Sequence, residues 1–362
     1  MKTVNYGVIG CGMMGQEHLR NIALLDGARV AAIFEPDAGM RAEAAAIAPE
    51  AVLFENLDDL LSQPELDCLL IVAPNHTHVD LFVTIAKKRP LPLLIEKPLF
   101  TDPADAGRIE HLRASYPAPV WVAMEYRYMP PIAAFLDKVE EATGGLTMLT
   151  IREHRYPFLP KIGNWNRFNR YSGGTLVEKC CHFFDLMRLI TRSEPVSIMA
   201  SGGQDVNHLG ETYGGEASDI WDAAYVIVNF ANGTRAMLEL CMYAEGSRYQ
   251  EEITAVGPKG KIEAKIPGPT RFWKDAASAS PVPKVILSPR DPVGPVALEI
   301  PVDPQLLAIG DHNGSTFYQH KLFLEVVRSG RSPAVTLDDG AKAVKMGLAA
   351  QQSAITGETV RL

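Results

Sequence analysis

Three glycines at fixed spacing near the start of the chain constrain its fold more than any other feature. The apolar run Val4–Ile9 leads directly into Gly10, Gly12 and Gly15, in the pattern Gly-x-Gly-x-x-Gly. A buried strand that ends at Gly10, followed by a helix that opens near Met13, forms a cradle for a pyrophosphate. There Gly10 allows the tight turn, Gly12 admits the pyrophosphate to the backbone, and Gly15 lets the helix pack against the strand.

A second apolar run ends in an acidic residue where a dinucleotide-binding fold needs one. Arg29–Phe34 is followed by Glu35, whose carboxylate can accept hydrogen bonds from the hydroxyls of an adenosine ribose. A plain glycine turn is the alternative for the triplet alone, because its spacing is not specific. With Glu35 the triplet predicts a dinucleotide site that prefers NAD to NADP. Arg41, one helical turn further on, is the main feature that argues for NADP.

Short apolar runs alternate with helical stretches up to about Met124. The predicted strands are Val4–Ile9, Arg29–Phe34, Cys68–Val72, Pro92–Ile95 and Pro119–Ala123. The predicted helices are Met13–Leu25, Ala38–Ile47, Val79–Lys87 and Pro103–Ser115. This alternation predicts a parallel sheet covered on both faces, with its ligand at the carboxyl ends of the strands. Besides the glycines and Glu35, the predicted cofactor contacts are Met13, Met14, Ala73, Asn75, His78, Glu96 and Lys97.

Beyond Met124 the pattern changes to consecutive strands with few helices. The predicted strands are Leu146–Arg155, Val196–Ser201, Ala223–Phe230, Arg235–Tyr243, Glu252–Val256 and Lys261–Ala264. The predicted helices are Ile132–Glu141, about Thr175 to Ile190, Phe317–Arg328 and Asp338–Ser353. These runs predict an open, mostly antiparallel sheet, with a hairpin at Asn232-Gly233 and an irregular Pro- and Gly-rich stretch over 267–295. We therefore expect two domains, 1–124 and 125–362.

Composition narrows the classes of function. The 362 residues carry a net charge of −8 at pH 7, which argues against nucleic acid as a partner. We expect no membrane span, because no run of 18 apolar residues occurs, and no signal peptide, because a strand starts at once after Met1. Five cysteines without a Cys-x-x-Cys pair fit a reducing compartment, so we expect a cytoplasmic protein.

Lys97 is the first candidate for chemistry. It lies between Glu96 and Pro98, just past a predicted core strand, beside the place of a nicotinamide ring. Burial near that positive ring lowers the pKa of an ammonium group and places a donor against a substrate hydroxyl. A solvated lysine at a strand end is the alternative interpretation.

A histidine between two carboxylates is the second candidate. On the predicted helix Glu178, His182 and Asp185 occupy positions i, i+4 and i+7, so they would share one face. Carboxylates of this kind hold an imidazole in one tautomer and let it accept a proton near neutral pH. A purely structural histidine is the alternative.

A basic and aromatic segment, residues 152–171, precedes that helix. It contains one acid, Glu153, against five basic residues: Arg152, Arg155, Lys161, Arg167 and Arg170. Sugar rings stack on aromatic side chains and arginines bind anionic groups, so Trp165 and Arg167 are predicted to contact a substrate with an acidic group. If the segment is helical, Arg167 and Arg170 share a face. A surface loop or a subunit contact explains the composition equally well.

Two further sequence patterns give weaker information about function. His76-x-His78 has the spacing of metal ligands, but no Cys, Asp or Glu set completes a site, so we expect no metal. A Gly-x-Ser-x-Gly elbow, which a serine hydrolase would need, is absent from the sequence.

Together these motifs resemble the family of glucose–fructose oxidoreductase, inositol dehydrogenase and the rhizopine-catabolism protein, called Gfo/Idh/MocA. The resemblance spans the chain and rests on the glycine triplet, Pro74-Asn75-x-x-His78, Glu96-Lys97-Pro98-Leu99, and Gly173-Gly174 leading to His182-x-x-Asp185. It implies a Rossmann domain, a second α/β domain whose open sheet often mediates oligomerisation, a nicotinamide cofactor, and sugar or polyol substrates. It also implies that Lys97 contacts the reacting hydroxyl and that His182 is the acid/base.

The chain departs from the family pattern at one position. Glu178 stands where the family usually has an aspartate that assists the histidine, and its carboxylate is displaced by about one methylene. Glu178 either orients His182, or pairs with Lys179 and leaves the chemistry to Lys97 and His182.

The resulting expectation is an NAD-dependent dehydrogenase that oxidises a secondary hydroxyl of a sugar, sugar derivative or cyclitol. Its predicted catalytic residues are Lys97, His182 and Glu178, and its predicted substrate contacts are Lys97, Arg127, Trp165, Arg167 and His182. An NAD-dependent, redox-neutral glycoside hydrolase is the alternative enzyme, and a redox sensor that holds the cofactor without turnover is the alternative outside enzymology. We expect a homodimer or homotetramer.

Overall fold

The first third of the chain forms a six-stranded parallel sheet. In the computed structural model, which describes residues 2–269, 281–291 and 293–362, its strands are β1 (Val4–Ile9), β2 (Ala28–Phe34), β3 (Val52–Phe54), β4 (Cys68–Ile71), β5 (Leu93–Ile95) and β6 (Val120–Val122). Their order is β3-β2-β1-β4-β5-β6, and every pairing is parallel. This is the doubly wound arrangement that the alternating pattern predicts.

Helices cover both faces of this sheet, so the central strand β4 is apolar at every position. They are α1 (Met13–Ala23), α2 (Ala38–Ile47), α3 (Leu57–Leu61), α4 (His78–Lys88) and α5 (Ala106–Ser115). All four residues of β4 are buried, as a strand between two helical layers requires. The short elements β3 and α3 were not predicted, because three to five residues carry too little periodic signal.

The remaining residues form a nine-stranded sheet and seven α-helices within the described part of the chain. The helices are α6 (Pro130–Thr143), α7 (Asn169–Ser172), α8 (Thr175–Glu178), α9 (Cys181–Thr191), α10 (Pro304–Ile309), α11 (Ser315–Ser329) and α12 (Leu337–Thr356). The strands are β7 (Met148–His154), β8 (Pro195–Gly203), the separate pair β9 (Thr212–Tyr213) and β10 (Glu216–Ala217), β11 (Ala223–Phe230), β12 (Arg235–Cys241), β13 (Glu251–Gly257), β14 (Gly260–Ile266), β15 (Lys284–Pro289), β16 (Val296–Glu299) and β17 (Val360–Arg361).

The nine-stranded sheet is mostly antiparallel, as predicted. Its order is β16-β15-β14-β13-β7-β12-β11-β8-β17, and only the β7–β12 pairing is parallel among the described strands. The predicted hairpin joins β11 to β12, and Gly233 in its turn has φ +85°. The irregular stretch predicted over 267–295 was wrong for Lys284–Pro289, which is β15; residues 270–280 and 292 of that stretch lie outside the described residues.

The helix predicted from Thr175 to Ile190 was also wrong as a single element. It is interrupted at Lys179 and Cys180, so that Glu178 ends α8 and His182 lies in the first turn of α9. At this interruption Lys179 forms a buried ion pair with Glu153, in which Nζ of the lysine lies 2.9 Å from Oε1 of the glutamate. The side chains of Glu178 and His182 consequently meet different partners.

The two sheets are joined by the last helices of the chain. The backbone N–H of Val122 in β6 donates to the carbonyl of Val335 at 3.2 Å, just before α12 begins. A Cβ built on Gly340 of α12 would lie 2.9 Å from the Val122 side chain, so only glycine permits this close approach. In the described residues no helix is both long and apolar enough to span a membrane.

Candidate active site

The glycine loop has the geometry that its spacing predicts. Gly10 has φ +92°, and a Cβ there would lie 2.8 Å from the backbone nitrogen of Ala73. A Cβ on Gly15 would lie 2.9 Å from the carbonyl oxygen of Gly10, which shows how closely α1 packs on the end of β1. A Cβ on Gly12 would meet no atom within 4 Å, because Gly12 faces a cavity.

This cavity, of about 680 Å³, runs along the carboxyl ends of the parallel strands. The N-cap residue of α1, Gly12, has no side chain to bind the first-turn amides, so they are available to an anion. Predicted cofactor residues that line the cavity are Gly10, Gly12, Met13, Met14, Glu35, Ala73, Asn75, Glu96 and Lys97. The open backbone at Gly12 and the bare helix terminus fit the pyrophosphate of a dinucleotide.

One end of the cavity is acidic. Glu35 accepts hydrogen bonds from the backbone N–H groups of Cys11 at 2.6 Å and Asp37 at 2.9 Å, which fix its carboxylate beside the glycine loop. Asp37 and Glu43 line the same end. Arg41 is turned away: its guanidinium binds Glu55 at 2.5 Å and the backbone carbonyls of Glu35 and Pro36. This end therefore fits an adenosine ribose with free hydroxyls better than a 2′-phosphate.

Lys97 lines the opposite end of the cavity. Its Nζ donates to the backbone carbonyl of Glu178 at 3.2 Å. Burial acts to lower the pKa of Lys97, but Cys181 and the carboxylates of Glu96, Glu125 and Glu178 together raise it above its ordinary value. The sequence argument, which considered burial beside a positive ring, left these carboxylates out. The ammonium group is therefore held in its charged form.

Glu96 is fixed by its own contacts and is nearly inaccessible. Its Oε1 lies 2.9 Å from Nε2 of His18 in α1, and its Oε2 accepts the backbone N–H of Lys97 at 3.1 Å. Burial would raise the pKa of Glu96, but the hydrogen bond and charge of His18 hold it below its ordinary value. Nδ1 of His18 in turn lies 2.7 Å from Nε2 of His320 in α11.

The predicted cofactor contact His78 lies behind the cavity wall. Its ring is buried, with Nδ1 2.9 Å from the carbonyl oxygen of Pro98 and Nε2 2.9 Å from that of Ala73. His78 thus ties the Lys97–Pro98 turn to the end of β4. His76 instead packs against Trp165 edge-on and against Tyr171 at a tilt, with ring centroids 6.2 Å and 4.8 Å apart. The described residues include no cluster of three or more His, Cys, Asp or Glu suited to a metal.

His182 is buried and does not line the cavity. Its Nε2 lies 3.5 Å from Oε1 of Glu125, and its ring stacks on Tyr126, with the ring centroids 4.1 Å apart and the planes 5° from parallel. Burial and the charges of Lys97 and Lys179 hold the pKa of His182 well below its ordinary value. The imidazole is therefore neutral at pH 7 and able to accept a proton.

Glu178 does not contact His182 or Lys179 by its side chain. Its Oε1 lies 3.5 Å from Nζ of Lys161, while Lys179 binds Glu153 and the hydroxyl of Tyr126. The predicted alternative pairing of Glu178 with Lys179 was therefore wrong. Lys161 lines the cavity with Trp165, and its Nζ lies 4.5 Å from the Trp165 ring centroid. Sequence reasoning counted Lys161 in the basic segment but did not select it as a site residue.

The arginines of the basic segment all face carboxylates of the chain. Arg152 binds Glu252, Arg155 lies 3.6 Å from Glu153, Arg167 lies 3.3 Å from Glu211, and Arg170 binds Glu216. Arg167 is buried, ends the short 3₁₀ segment Ile162–Arg167 and does not share a helix face with Arg170 in α7. The structure therefore gives no support to the interpretation that these arginines bind an acidic group of the substrate.

Arg127 is also engaged elsewhere. It forms a two-point ion pair with Asp185, with Nε 2.6 Å from Oδ2 and Nη2 2.5 Å from Oδ1. Its Nη1 donates to the carbonyl of Ala334 at 3.1 Å. Arg127 therefore does not line the cavity, and Asp185, which the sequence placed beside His182, joins α9 to the turn after β6.

Comparison with known proteins identifies the fold that carries this site. The family model described as an oxidoreductase family with an NAD-binding Rossmann fold matches residues 4–124, and the model for the C-terminal α/β domain of the same family matches residues 139–362. The chain belongs to the Gfo/Idh/MocA oxidoreductase family. Its first domain is thus an NAD-binding Rossmann domain.

Two relatives and one solved structure give the scale of the similarity. The chain is 29% identical over 273 residues to an inositol 2-dehydrogenase of Leifsonia xyli, which covers 75% of each protein. It is 25% identical over 356 residues to a myo-inositol 2-dehydrogenase of Thermotoga maritima, which covers 98% of each. The crystal structure of a probable dehydrogenase from Thermotoga maritima superposes with a TM-score of 0.78 at 25% identity, over 99% of this chain and 98% of that one.

Proposed function

We propose that this Gfo/Idh/MocA member oxidises a secondary hydroxyl group of a sugar, sugar derivative or cyclitol, with NAD as the hydride acceptor. The observation that carries the proposal is the opposite protonation of Lys97, which lines the cavity, and the buried His182, on which the charge of Lys97 acts. Lys97 is held as a cation, because its pKa is raised, and His182 is held as a neutral base, because its pKa is lowered. Pairs of groups whose pKa values are driven apart are typical of acid/base sites.

In this proposal each residue has one task. His182 takes the proton of the reacting hydroxyl, and the Lys97 ammonium stabilises the oxygen as negative charge develops on it. Lys97 is the cavity-side member of the pair, because it lines the wall whereas His182 is buried. Trp165 and Lys161 line the same cavity and supply a stacking face and a donor for the substrate ring. When bound, the cofactor supplies the acceptor for the hydride.

A panel of substrates tests this proposal directly. Because two relatives are inositol dehydrogenases, myo-inositol and other cyclitols come first, followed by neutral sugars, polyols and glycosides. We expect NADH absorbance to increase with a neutral cyclitol or sugar, together with one equivalent of the ketone. Because each arginine of the basic segment already faces a carboxylate of the chain, an acidic analogue should not be preferred. No NADH with any polyol would contradict the proposal, and a cleaved glycoside without net NADH would establish the redox-neutral hydrolase instead.

Cofactor preference provides a second prediction. We expect NADP to bind at least about tenfold more weakly than NAD, because Glu35, Asp37 and Glu43 would repel a 2′-phosphate and Arg41 is held by Glu55. Titration of both nucleotides by protein fluorescence measures this ratio. The double variant Glu35→Ser/Pro36→Arg should reverse or narrow it, whereas equal affinities in the unmodified protein would show that Glu35 does not select the cofactor.

We also propose that the protein is a cytoplasmic homo-oligomer that associates through the outer face of the nine-stranded sheet. Large apolar side chains are exposed there on two adjacent strands. Met199 of β8 lies opposite Ile227 of β11, and Tyr225 lies two residues before Ile227 in the same strand. A contiguous apolar patch on a sheet is typical of an association surface. Light scattering in solution measures the number of subunits.

A further inference from the structure

The carboxyl group nearest to His182 belongs to Glu125, a residue that neither the sequence motifs nor the family pattern singles out. Glu125 lies in the short 3₁₀ turn Glu125–Tyr128, directly after the Rossmann sheet. Its side chain is 2% exposed, and neither carboxylate oxygen accepts a hydrogen bond from another described residue. A buried carboxylate without such partners is costly. The imidazole of His182 lies close to it, with Nε2 3.5 Å from Oε1 of Glu125.

The same turn also holds the histidine ring in place. Tyr126, the next residue, stacks on the imidazole with nearly parallel planes, and Nε2 of that ring lies 3.5 Å from Oε1 of Glu125. Nδ1 of His182 is buried and has no hydrogen-bond partner among the described residues. Tyr126 thus fixes the plane of the imidazole, and the carboxylate of Glu125 is close enough to act on the charge of the ring.

Glu178, which the family pattern places in this role, is directed elsewhere. Its Oε1 faces Lys161, and its backbone carbonyl accepts the hydrogen bond of Lys97. Because α8 ends at Glu178, its side chain does not follow the helical spacing that would bring it to His182. Glu178, the residue at which the chain departs from the family pattern, thus has its carboxylate beside Lys161 and not beside His182.

We infer that Glu125 is a positioning residue of His182: its carboxylate stabilises the imidazolium that forms when His182 takes a proton. This inference deepens the proposed dehydrogenase function and rests on it. In the reaction the substrate O–H bond breaks and its proton goes to the imidazole of His182, while the C–H electron pair leaves as the hydride that NAD accepts. A negative charge 3.5 Å from Nε2 then faces the new positive charge of the ring.

The surrounding charges make this arrangement sensitive to pH. The ionisable groups that act on Glu125 and His182 from the neighbouring elements are Glu96, Lys97, Arg155, Lys179 and His312. Burial and then Glu96 raise the pKa of Glu125 to about 7, against the lowering effect of His312 and Lys97. Glu125 is therefore charged above about pH 7 and neutral below it, so the stabilisation of the imidazolium is present above that pH and lost as the pH falls through it.

The test compares three single substitutions in the full-length protein. Glu125→Gln keeps the shape of the side chain and removes its charge; we expect kcat to fall by about 10²-fold and the acid limb of kcat/KM near pH 7 to disappear. Glu178→Gln should retain that limb. Glu251→Gln is the matched control, because Glu251 is also a buried glutamate with a pKa raised to about 7, by burial first. It accepts hydrogen bonds from Gln250 at 2.6 Å and from the hydroxyl of Tyr126 at 3.5 Å and does not contact the histidine.

A readout apart from turnover separates this inference from the proposed function. In ¹⁵N-histidine NMR spectra, assigned with His182→Asn, the pKa of His182 should decrease further in Glu125→Gln and stay unchanged in Glu251→Gln. Glu125→Asp retracts the carboxylate but retains its charge, so the acid limb of kcat/KM should remain while kcat is reduced. This variant replaces Glu125→Gln in the test if Glu125→Gln does not fold. An unchanged His182 titration in Glu125→Gln would overturn the inference whether or not a sugar substrate is found. Once a substrate is known, loss of the acid limb in Glu178→Gln alone would overturn it as well.

Discussion

Replacing Lys97 or His182 by alanine is expected to lower kcat by about 10²–10⁴-fold while NAD still binds, since a positioned acid/base is worth that much. Lys97→Ala removes the cation that lines the cavity, and His182→Ala removes the neutral base stacked on Tyr126. Neither side chain lies at the acidic end, where Glu35 would hold the adenosine ribose beside the glycine loop. Steady-state kinetics with the best substrate of the panel, and NAD titration, measure the two quantities separately.

Glu178→Gln is the control for this pair of variants. Its carboxylate faces Lys161 rather than His182, so its loss should cost less than about tenfold in kcat. Near-normal turnover in His182→Ala would show that the histidine is structural. Loss of NAD affinity in Lys97→Ala, in parallel with loss of turnover, would show that the lysine binds the cofactor rather than the reacting oxygen.

Asp185→Ala is expected to lower the free energy of unfolding by about 3–5 kcal/mol, the cost typical of breaking a buried ion pair. The Asp185 side chain is fully buried, and its removal leaves Arg127, whose side chain is only 11% exposed, without its main counter-ion. Arg127 would keep only Asp339, at 3.8 Å, and the carbonyl of Ala334. Urea unfolding followed by far-UV circular dichroism measures the change.

The matched control for this variant is an ion pair on the surface. Glu110→Ala removes the partner of Arg113, and both side chains are about half exposed or more, so the unfolding midpoint should not move. If Asp185→Ala unfolds at the same urea concentration as the wild type, the Arg127 pair does not hold α9 against the turn after β6. The position of His182, which α9 carries, would then depend on other contacts.

Local motifs were enough to predict the cofactor half of the site. The glycine loop, Glu35 and Lys97 owe their positions to strand ends a few residues away, and the carboxyl ends of parallel strands meet at one edge of a sheet. The sequence pattern near these strand ends is therefore enough to predict that Gly12, Glu35 and Lys97 line the cavity, and the rest of the chain adds little to that prediction.

The surroundings of His182 could not be predicted in the same way, because its contacts join distant segments. Spacing placed Glu178 beside His182, but the helix breaks at Lys179, which binds Glu153 of β7 instead. Glu125 reaches His182 only through packing of the turn after β6 against α9. The arginines looked available because their carboxylate partners, such as Glu211 and Glu216, lie far along the chain.

The contacts that run from α11 through His18 to Glu96 have a practical consequence for protein engineering. His320 belongs to a helix near the end of the chain, yet it lies two side chains away from the residue that precedes Lys97. A mutant library restricted to the cavity wall would leave that support untouched and would sample only part of what sets the lysine's position. Libraries meant to change substrate scope should therefore include His18 and His320, and a chimera that exchanges whole domains should carry both histidines from one parent.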